Sequence, residues 1–412
     1  MIEPADRAQV VAPPARIPII DLARGIAVLG ILAINVTTMA GPGLAAATPD
    51  WHGRAAPQDW AAFTLTWLFF EGKMRTMFAT LFGVSLGLFL ERGDPGRRLL
   101  GQVRRLLWLA VLGYLHFLLL WWGDILFVYA LGGMIALLFR DMPPWRLLGL
   151  GLALYMAVAV GLMIDVAGPM RAAHAVAAGT ATPEQAGWVA SYAEAVGAHA
   201  AQQFAEYDMG FFQAIGWRLM HHPDFPLSMA SQVLMEVFPL MLCGMGLART
   251  GFFAGAWPRR SLVLIAVAGG SLGLAWGAAV LGYAASQGFA PATVAFLPFR
   301  FGMPGHIAQA TCYFALVALF GGAILRTRMG KRLAAVGRMA LSNYIGTTVV
   351  MTFVLHRWGL GLAAGLPGQA ELMVLMLLGW ALMLGWSAPW LARFGTGPLE
   401  WLWRKLARTG GR

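Results

Sequence analysis

Ten stretches of mostly apolar residues, each about long enough to cross a bilayer as a helix, constrain this chain more than any other feature. Spanning the hydrocarbon takes roughly 20 such residues. Only 12% of the residues are charged, whereas a soluble domain carries about 25%. We therefore predict an all-α integral membrane protein, a bundle of about ten transmembrane helices. The stretches lie at 17–40, 61–90, 104–121, 124–140, 146–166, 227–248, 261–285, 307–325, 335–356 and 371–392.

The distribution of Lys and Arg predicts the orientation, because these residues concentrate in short cytoplasmic loops. With the amino terminus inside, the outer loops hold only Arg54, Arg171, Arg218, Arg300 and Arg357. We expect both termini in the cytoplasm of a bacterium and the chain in its cytoplasmic (inner) membrane. The formal charge of +11 then reflects topology, and no nucleic-acid partner is expected.

This topology divides the chain into four parts. Residues 1–16 form a cytoplasmic tail, 17–166 an amino-terminal five-span bundle, 167–225 one longer exoplasmic segment, and 226–412 a carboxy-terminal five-span region. Thr182-Pro183 is typical of a helix start, so we expect one or two short helices at the membrane surface within the exoplasmic segment. The bilayer is the partner that the composition implies, and the oligomeric state stays open.

The inner mouth of the first stretch carries Asp21 and Arg24, one helical turn apart. They either pair locally, with a favourable carboxylate in the first turn, or anchor an anionic group at the cytoplasmic surface. Asn35 follows Arg24 by eleven residues, about three turns, and therefore shares its helix face. An Asn inside a span either hydrogen-bonds across helices or belongs to a site on that face.

Three ionisable residues, Glu71, Lys73 and Arg75, interrupt the second stretch. Charges at membrane depth are costly and usually face a protein interior or a cavity. The three residues form either a buried pair that stabilises a kink or part of a functional site. We predict that Lys73 does not face lipid.

His116, near the outer end of the third stretch, is the main candidate for a general base. An imidazole can accept a proton near neutral pH, although a lone histidine in an apolar helix can equally be a packing residue. Asp124 follows eight residues later, roughly on the same helix face, and would orient the ring. His52, in the outer loop before the second stretch, is an alternative base.

The remaining polar candidates have simpler readings. Asn343 opens the ninth stretch after a basic loop, where it would cap a helix or hydrogen-bond to a neighbouring one. His221 and His222 stand beside Asp224, but adjacent histidines point in different directions on a helix, and no recognised metal-binding spacing is present. We predict no metal.

Five segments carry a resemblance to a known family. They are Asp21–Asn35, Lys73–Gly83, His116–Tyr129, Gly337–Tyr344 and the ending Phe394–Arg404, which includes Gly397–Trp401, and they resemble the YeiB family of bacterial membrane proteins. That family ends in a domain of unknown function numbered 418, here about 230–405. The resemblance covers nearly the whole chain and implies a multi-pass membrane protein without a soluble enzyme domain.

The amino-terminal half is also similar to transmembrane acyltransferases, including the acyltransferase-3 group and heparan-alpha-glucosaminide N-acetyltransferase. In the acyltransferase-3 group an Arg is followed, after ten residues, by a His; here Arg24 matches the Arg, and Asn35 replaces the His. The resemblance implies an acyl-coenzyme A donor in the cytoplasm, with Arg24 on its phosphates. The base for an exoplasmic small-molecule, glycan or lipid acceptor would then be His116 or His52.

Two other functions fit the same sequence. Lys73 and Arg75 could line the path of a transporter or exporter of a small anionic solute. Inverted repeats or paired broken helices favour that class, and only the stretch at 61–90 is long enough to break. A structural or regulatory membrane protein is the third reading.

Overall fold

The computed structural model describes residues 17–49, 53, 55–90, 95–365 and 367–408. Regular structure in these ranges is helical throughout, and His52 lies outside them. The α-helices are α1 (Pro18–Ala40), α2 (Pro57–Phe69), α3 (Lys73–Leu90), α4 (Pro95–Leu119), α5 (Leu126–Ala136), α6 (Pro144–Asp165), α7 (Ala167–Ala177), α8 (Pro183–Tyr207), α9 (Phe211–His221), α10 (Phe225–Arg249), α11 (Arg259–Ser286), α12 (Pro291–Val294), α13 (Met303–Arg326), α14 (Arg328–Arg338), α15 (Ala340–Leu355), α16 (Gln369–Phe394) and α17 (Pro398–Arg408).

The predicted all-helical membrane bundle is confirmed. Seven segments of the described chain are long and apolar enough to cross a bilayer: α1, the α2–α3 pair, α6, α10, α11, α13 and α16. Two shorter apolar helices cover 126–139 and 340–355, and α4 is 25 residues long. These ten segments coincide with the ten predicted stretches. The number of spans and their orientation stay predictions.

The second stretch is broken rather than tilted. Helix α2 ends at Phe69, α3 begins at Lys73, and between them Gly72 adopts a φ of +69°, which costs little only for glycine. A Cβ on Gly72 would also lie 2.1 Å from Nδ1 of His306 on α13. The break therefore depends on both the conformation and the small size of glycine.

The ninth predicted stretch contains a break that its hydropathy did not indicate. Helix α14 ends at Arg338 and α15 begins at Ala340, so the apolar helix is shorter than the predicted 335–356. Helix α14 packs closely against α1, since a Cβ on Gly25 would lie 2.0 Å from the Leu333 carbonyl oxygen, and one on Gly337 would lie 1.9 Å from that of Asp21. Glycines at such contacts allow two helix backbones to approach.

The segment predicted to be exoplasmic holds more structure than expected. It forms three helices, α7, α8 and α9, of which α8 has 25 residues, instead of one or two short ones. The predicted start at Thr182 is confirmed: the Gln185 amide donates to Thr182 Oγ1 at 3.3 Å, and the Thr182 amide donates to Gln185 Oε1 at 2.9 Å. This reciprocal pair is a capping box.

Candidate functional site

A buried histidine lies between a carboxylate and a hydroxyl. His116 Nδ1 is 3.0 Å from Asp124 Oδ1, and His116 Nε2 is 3.1 Å from Thr348 Oγ1. All three side chains are buried. The ring of Tyr344 packs beside His116, with 5.1 Å between the centroids, and its hydroxyl donates to the Gly123 carbonyl at 3.2 Å. Nε2 therefore has a hydrogen-bond partner, whereas Nδ1 lies within ion-pair distance of Asp124 without the geometry of a hydrogen bond.

Asp124 contacts His116 from a turn, and not from the same helix face as predicted. Helix α4 ends at Leu119, so the two residues do not share a helix face, and Asp124 returns toward the ring through the turn before α5. Its Oδ2 accepts the Phe127 amide at 2.8 Å, which leaves Oδ1 toward the ring. Gly113 allows the approach, because a Cβ there would lie 2.4 Å from the Phe127 nitrogen.

The hydroxyl of Thr348 has one proton and two possible acceptors. It lies 3.1 Å from the Tyr344 carbonyl oxygen, as well as 3.1 Å from His116 Nε2. If the hydroxyl donates to the ring, Nε2 carries no proton and the neutral imidazole holds its proton on Nδ1, toward Asp124. If it donates to Tyr344, Nε2 can be protonated and donate to Thr348. The arrangement can therefore accommodate His116 both before and after it accepts a proton.

Thr348 and Tyr344 were missing from the sequence-based site. Thr348 lies 232 residues from His116, and no local spacing relates the two. Only a weak indication of this site was present in the sequence, since Thr347, Thr348 and Thr352 place hydroxyl groups within an apolar helix. Such hydroxyls usually bond to the carbonyl four residues earlier, as all three do here.

Arg24 and Asp21 make the local pair that was one of the two predicted readings. Arg24 Nη1 lies 3.2 Å from Asp21 Oδ1, and Nη2 donates to Ser85 Oγ at 2.9 Å. Asp21 is buried, whereas the Arg24 side chain is 23% exposed. The pair and the Ser85 hydroxyl hold the Arg24 guanidinium in place at the end of α1.

Asn35 lies on the face of α1 that leads from Arg24 toward the His116 site. Ile31, one turn before Asn35, packs into a hydrophobic cluster that contains Tyr344. Asn35 itself is half-buried. Within the described residues, neither Asn35 nor Arg24 hydrogen-bonds to His116. The structure thus brings His116, Asp124 and Thr348 together, whereas Asn35 lies on α1 and makes no contact with them within the described residues.

The charged residues at the α2–α3 break form a second buried group. Lys73 is 1% exposed, and its Nζ donates to the Trp67 carbonyl at 2.6 Å. Arg75 pairs with Glu236 of α10 through two contacts of 3.1 and 3.2 Å. Glu71 is also buried. Lys73 thus faces protein rather than lipid, and a partner absent from the sequence-based set, Glu236, neutralises Arg75. Glu236 could have been recognised in the sequence as the single Glu within the apolar stretch at 227–248, because a charge at membrane depth usually has a partner.

Asn343 connects three neighbouring segments. Its Nδ2 donates to the Val336 carbonyl at 3.1 Å and to Ser387 Oγ at 3.0 Å. Trp386 Nε1 donates to Asn343 Oδ1 at 2.8 Å. These contacts fit the interhelical reading, in which the amide fixes α15 against α14 and α16.

Helices α8 and α9 cover the carboxy-terminal ends of α1 and α4, which are their predicted outer ends. Arg218 of α9 is buried, and its Nε donates to Glu206 Oε1 at 2.7 Å. Its Nη1 donates to the carbonyls of Phe117 and Leu118 at 3.2 and 3.0 Å. These are among the last carbonyls of α4, which lack partners within the helix. Arg218 therefore fixes α9 directly over the turn that carries His116.

Tyr207 of α8 makes the matching contact to α1. Its hydroxyl donates to the Thr38 carbonyl at 2.7 Å and accepts from Trp122 Nε1 at 2.7 Å. Burial raises the pKa of Tyr207 above its usual range, so the hydroxyl keeps the proton that it donates.

His221 and His222 point to different partners, the Trp217 carbonyl and Gln202, as expected for adjacent histidines.

Comparisons with known proteins identify relatives over most of the chain. Residues 247–410 match the family described as "Protein of unknown function (DUF418)". The chain is 30% identical over 398 residues to YeiB of Escherichia coli, covering 94% of this chain and 95% of that protein. It is 28% identical over 410 residues to YxaH of Bacillus subtilis, covering 94% and 93%. No solved structure matches it significantly. The chain belongs to the YeiB family of multi-pass membrane proteins.

Proposed function

We propose that this protein is a membrane acyltransferase that moves an acyl group from a cytoplasmic carrier to an exoplasmic acceptor. The observation that carries the proposal is the buried Asp124–His116–Thr348 arrangement. A carboxylate on one ring nitrogen orients an imidazole so that the other nitrogen can accept a proton. The arrangement supports the proposal because the carboxylate and the hydroxyl lie on opposite ring nitrogens, as in a general-base pair.

The reaction assigned to the site is a general-base transfer. His116 Nε2 takes the proton of an acceptor hydroxyl or amine, in place of its contact with Thr348. The acceptor oxygen or nitrogen attacks the thioester carbonyl, and the carbon–sulfur bond breaks. The leaving thiolate takes the proton from His116, so that the products are the acylated acceptor and a free thiol. Asp124 stabilises the imidazolium between these steps.

The donor side of the proposal rests on Arg24. Its guanidinium is positioned by Asp21 and Ser85 at the predicted cytoplasmic end of α1, and the side chain as a whole is 23% exposed. A guanidinium suits phosphate oxygens because it offers several donors in a fixed plane. From Arg24, one face of α1 leads past Ile31, which packs against the Tyr344 cluster. An acyl-coenzyme A with its phosphates at Arg24 would point its thioester along that face.

The transporter alternative receives less support. Its path required Lys73 and Arg75 to present positive charge to a solute. Both cations instead have partners, the Trp67 carbonyl and the Glu236 carboxylate, and the broken helix is explained by these contacts and by Gly72. These contacts, rather than the expected pair between Glu71 and Lys73, stabilise the kink.

Purified protein in zwitterionic-lipid nanodiscs tests the proposal. It should bind acetyl-coenzyme A in calorimetry, and Arg24→Ala should weaken binding about tenfold, the effect of losing roughly 1.4 kcal/mol. With a cell-envelope extract as the acceptor source, release of the coenzyme A thiol reports transfer. His116→Ala should lower this rate by about 10²–10⁴-fold, with donor binding retained.

His174→Ala is the matched control, because His174 is an exposed histidine of α7. It should leave both donor binding and thiol release unchanged. Full thiol release by His116→Ala, or absence of donor binding by the unmodified protein, would reject the acyltransferase proposal.

A further inference from the structure

Helix α9 exposes large apolar side chains, although its 11 residues are too few to span a bilayer, which takes roughly 20. Phe212 is 84% exposed and Met220 is 75% exposed, and Leu219 is exposed as well. These three positions are i, i+7 and i+8, so they share one face of the helix. The opposite face is buried through Ala214 and Arg218. Exposed apolar clusters of this kind mark interaction surfaces.

The carboxy-terminal end of α9 lies at the level of the last turns of α4. The Tyr114 hydroxyl donates to the carbonyl of Pro223, two residues after α9 ends, at 3.2 Å. Tyr114 comes five residues before the end of α4, which corresponds to about 7.5 Å along the axis at 1.5 Å per residue. Arg218 bonds to the Phe117 and Leu118 carbonyls in the same turns. Helix α9 therefore reaches the depth at which a predicted spanning helix ends.

Exposed apolar side chains also flank α9 on both neighbouring helices. Helix α10 follows after three residues and is a candidate span, on which Leu227 and Met235 are exposed. Phe211 of α9 packs 5.4 Å from Trp358, whose ring lies 5.5 Å from that of Phe353 on α15, between centroids. Phe353 is exposed too. Because α10 and α15 are apolar helices of the membrane bundle, lipid is the medium next to these side chains.

We propose that α9 is an interfacial helix that inserts Phe212, Leu219 and Met220 among the acyl chains of membrane lipids. Trp217, within the same helix, is a residue type that is enriched at the boundary between acyl chains and water. An apolar helix face at this boundary gains by burial in the acyl region. The helix that Arg218 attaches to α4 is thus also held by the bilayer. This role does not depend on the proposed transfer reaction.

Nitroxide labels on single cysteines test what surrounds this face. A Cys243→Ala/Cys312→Ala background removes both native cysteines, and Phe212→Cys or Met220→Cys then provides the labelling position. The protein in nanodiscs is exposed to molecular oxygen, which partitions into hydrocarbon, and to a nickel chelate, which stays in water. Both labels should be relaxed more strongly by oxygen than by the chelate.

Two reference positions calibrate this comparison. Leu378→Cys, at an exposed position of the candidate span α16, gives the value for lipid, and Glu184→Cys, exposed on α8, gives the value for water. The ratio of oxygen to chelate relaxation at 212 and 220 should lie nearer to the lipid value. A ratio equal to that of Glu184→Cys would overturn the proposal. Weak relaxation by both agents, with dipolar broadening between labels, would also overturn it, because a second copy of this chain would then cover the face.

Apolar character, rather than shape, should decide how firmly α9 is held, because acyl chains adapt to any apolar side chain. Phe212→Ser/Met220→Ser should raise hydrogen exchange of residues 211–221 in nanodiscs roughly tenfold, through easier local opening. Phe212→Leu/Met220→Leu should keep the original protection. Gln213→Ser, at an exposed polar position of the same helix, is the matched control and should leave exchange unchanged. Serine variants that exchange no faster than this control would contradict anchoring by lipid.

Discussion

Thr348 Oγ1 lies 3.1 Å from His116 Nε2, although the two residues belong to opposite halves of the chain. His116 lies in the last turn of α4 in the amino-terminal half, and Thr348 lies within the 247–410 region that matches the family model. Asp124, on the other ring nitrogen, comes from the same half as the histidine. The two predicted five-span regions are therefore not independent units at this site, because each supplies one partner of the ring.

Thr348→Val tests whether the hydroxyl matters, since the two side chains have nearly the same shape. Removal of the hydroxyl leaves His116 Nε2 buried without its partner, which costs about 1–3 kcal/mol. We expect a lower midpoint of thermal unfolding in detergent, and Thr348→Ser should restore it. Thr347→Val is the control, because Thr347 bonds to carbonyls of its own helix, those of Asn343 and Tyr344. Equal effects of the two valine variants would contradict a specific role for Thr348.

The ion pair between Arg75 and Glu236 should be more sensitive to loss of one partner than of both. Glu236→Gln leaves the guanidinium without its counter-charge and should destabilise the protein by about 3–5 kcal/mol. Arg75→Met/Glu236→Leu removes both charges and should recover most of that loss. Chemical unfolding in detergent micelles measures both values.

Glu184→Gln, at an exposed position of α8, is the control for these variants and should leave the free energy of unfolding unchanged. A double variant as unstable as Glu236→Gln alone would show that the side chains matter for more than the balance of charge.

The sequence predicted the bundle because membrane solvation acts locally. Each span must satisfy its own backbone and be apolar over about 20 residues, and both properties can be read from a single stretch. The break at Met339 was not visible, because close packing of α14 on α1 through Gly25 and Gly337 depends on a helix more than 300 residues away. Tertiary contacts, rather than hydropathy, end that helix.

The candidate site was only partly predictable for the same reason. We predicted that Asp124 would face His116 from the same helix. The two side chains do lie 3.0 Å apart, but a turn after α4, and not a shared helix, brings them together. Thr348 and Glu236 were missed, since their roles exist only once distant helices meet. Arg218 appeared only as one basic residue of an outer loop, and its contact with the end of α4 could not be read from the sequence.

The predicted topology can be tested by reporter fusions. A phosphatase that is active only outside the cytoplasm should be inactive after Arg98 or Arg328 and active when fused near Ala186. A fluorescent protein that folds only in the cytoplasm should give the opposite signals at the same three positions. An exterior signal after Arg98 would reject both the ten-span count and the cytoplasmic amino terminus.

Glu400 should stabilise the start of α15. Its carboxylate accepts the amides of Leu341 and Ser342, which lack partners within their own helix. By analogy with other capping side chains, Glu400→Ala should cost about 0.5–2 kcal/mol and speed hydrogen exchange of residues 340–346. Glu371→Ala is the control, because that carboxylate accepts the Gly368 amide at 3.2 Å on an exposed surface. Unchanged exchange at the start of α15 would disprove the capping role.

Arg218 should hold α9 over the carboxy-terminal end of α4. Arg218→Ala removes the bonds to the Phe117 and Leu118 carbonyls and leaves Glu206 without its cation. Local opening of α9 should become easier, and hydrogen exchange of 211–221 should rise roughly tenfold. Arg218→Lys should not restore protection, because one ammonium cannot reproduce the planar set of donors. Arg171→Ala, an exposed arginine of α7, should leave exchange unchanged. If α9 stays protected in Arg218→Ala, contacts other than this guanidinium hold it over the site.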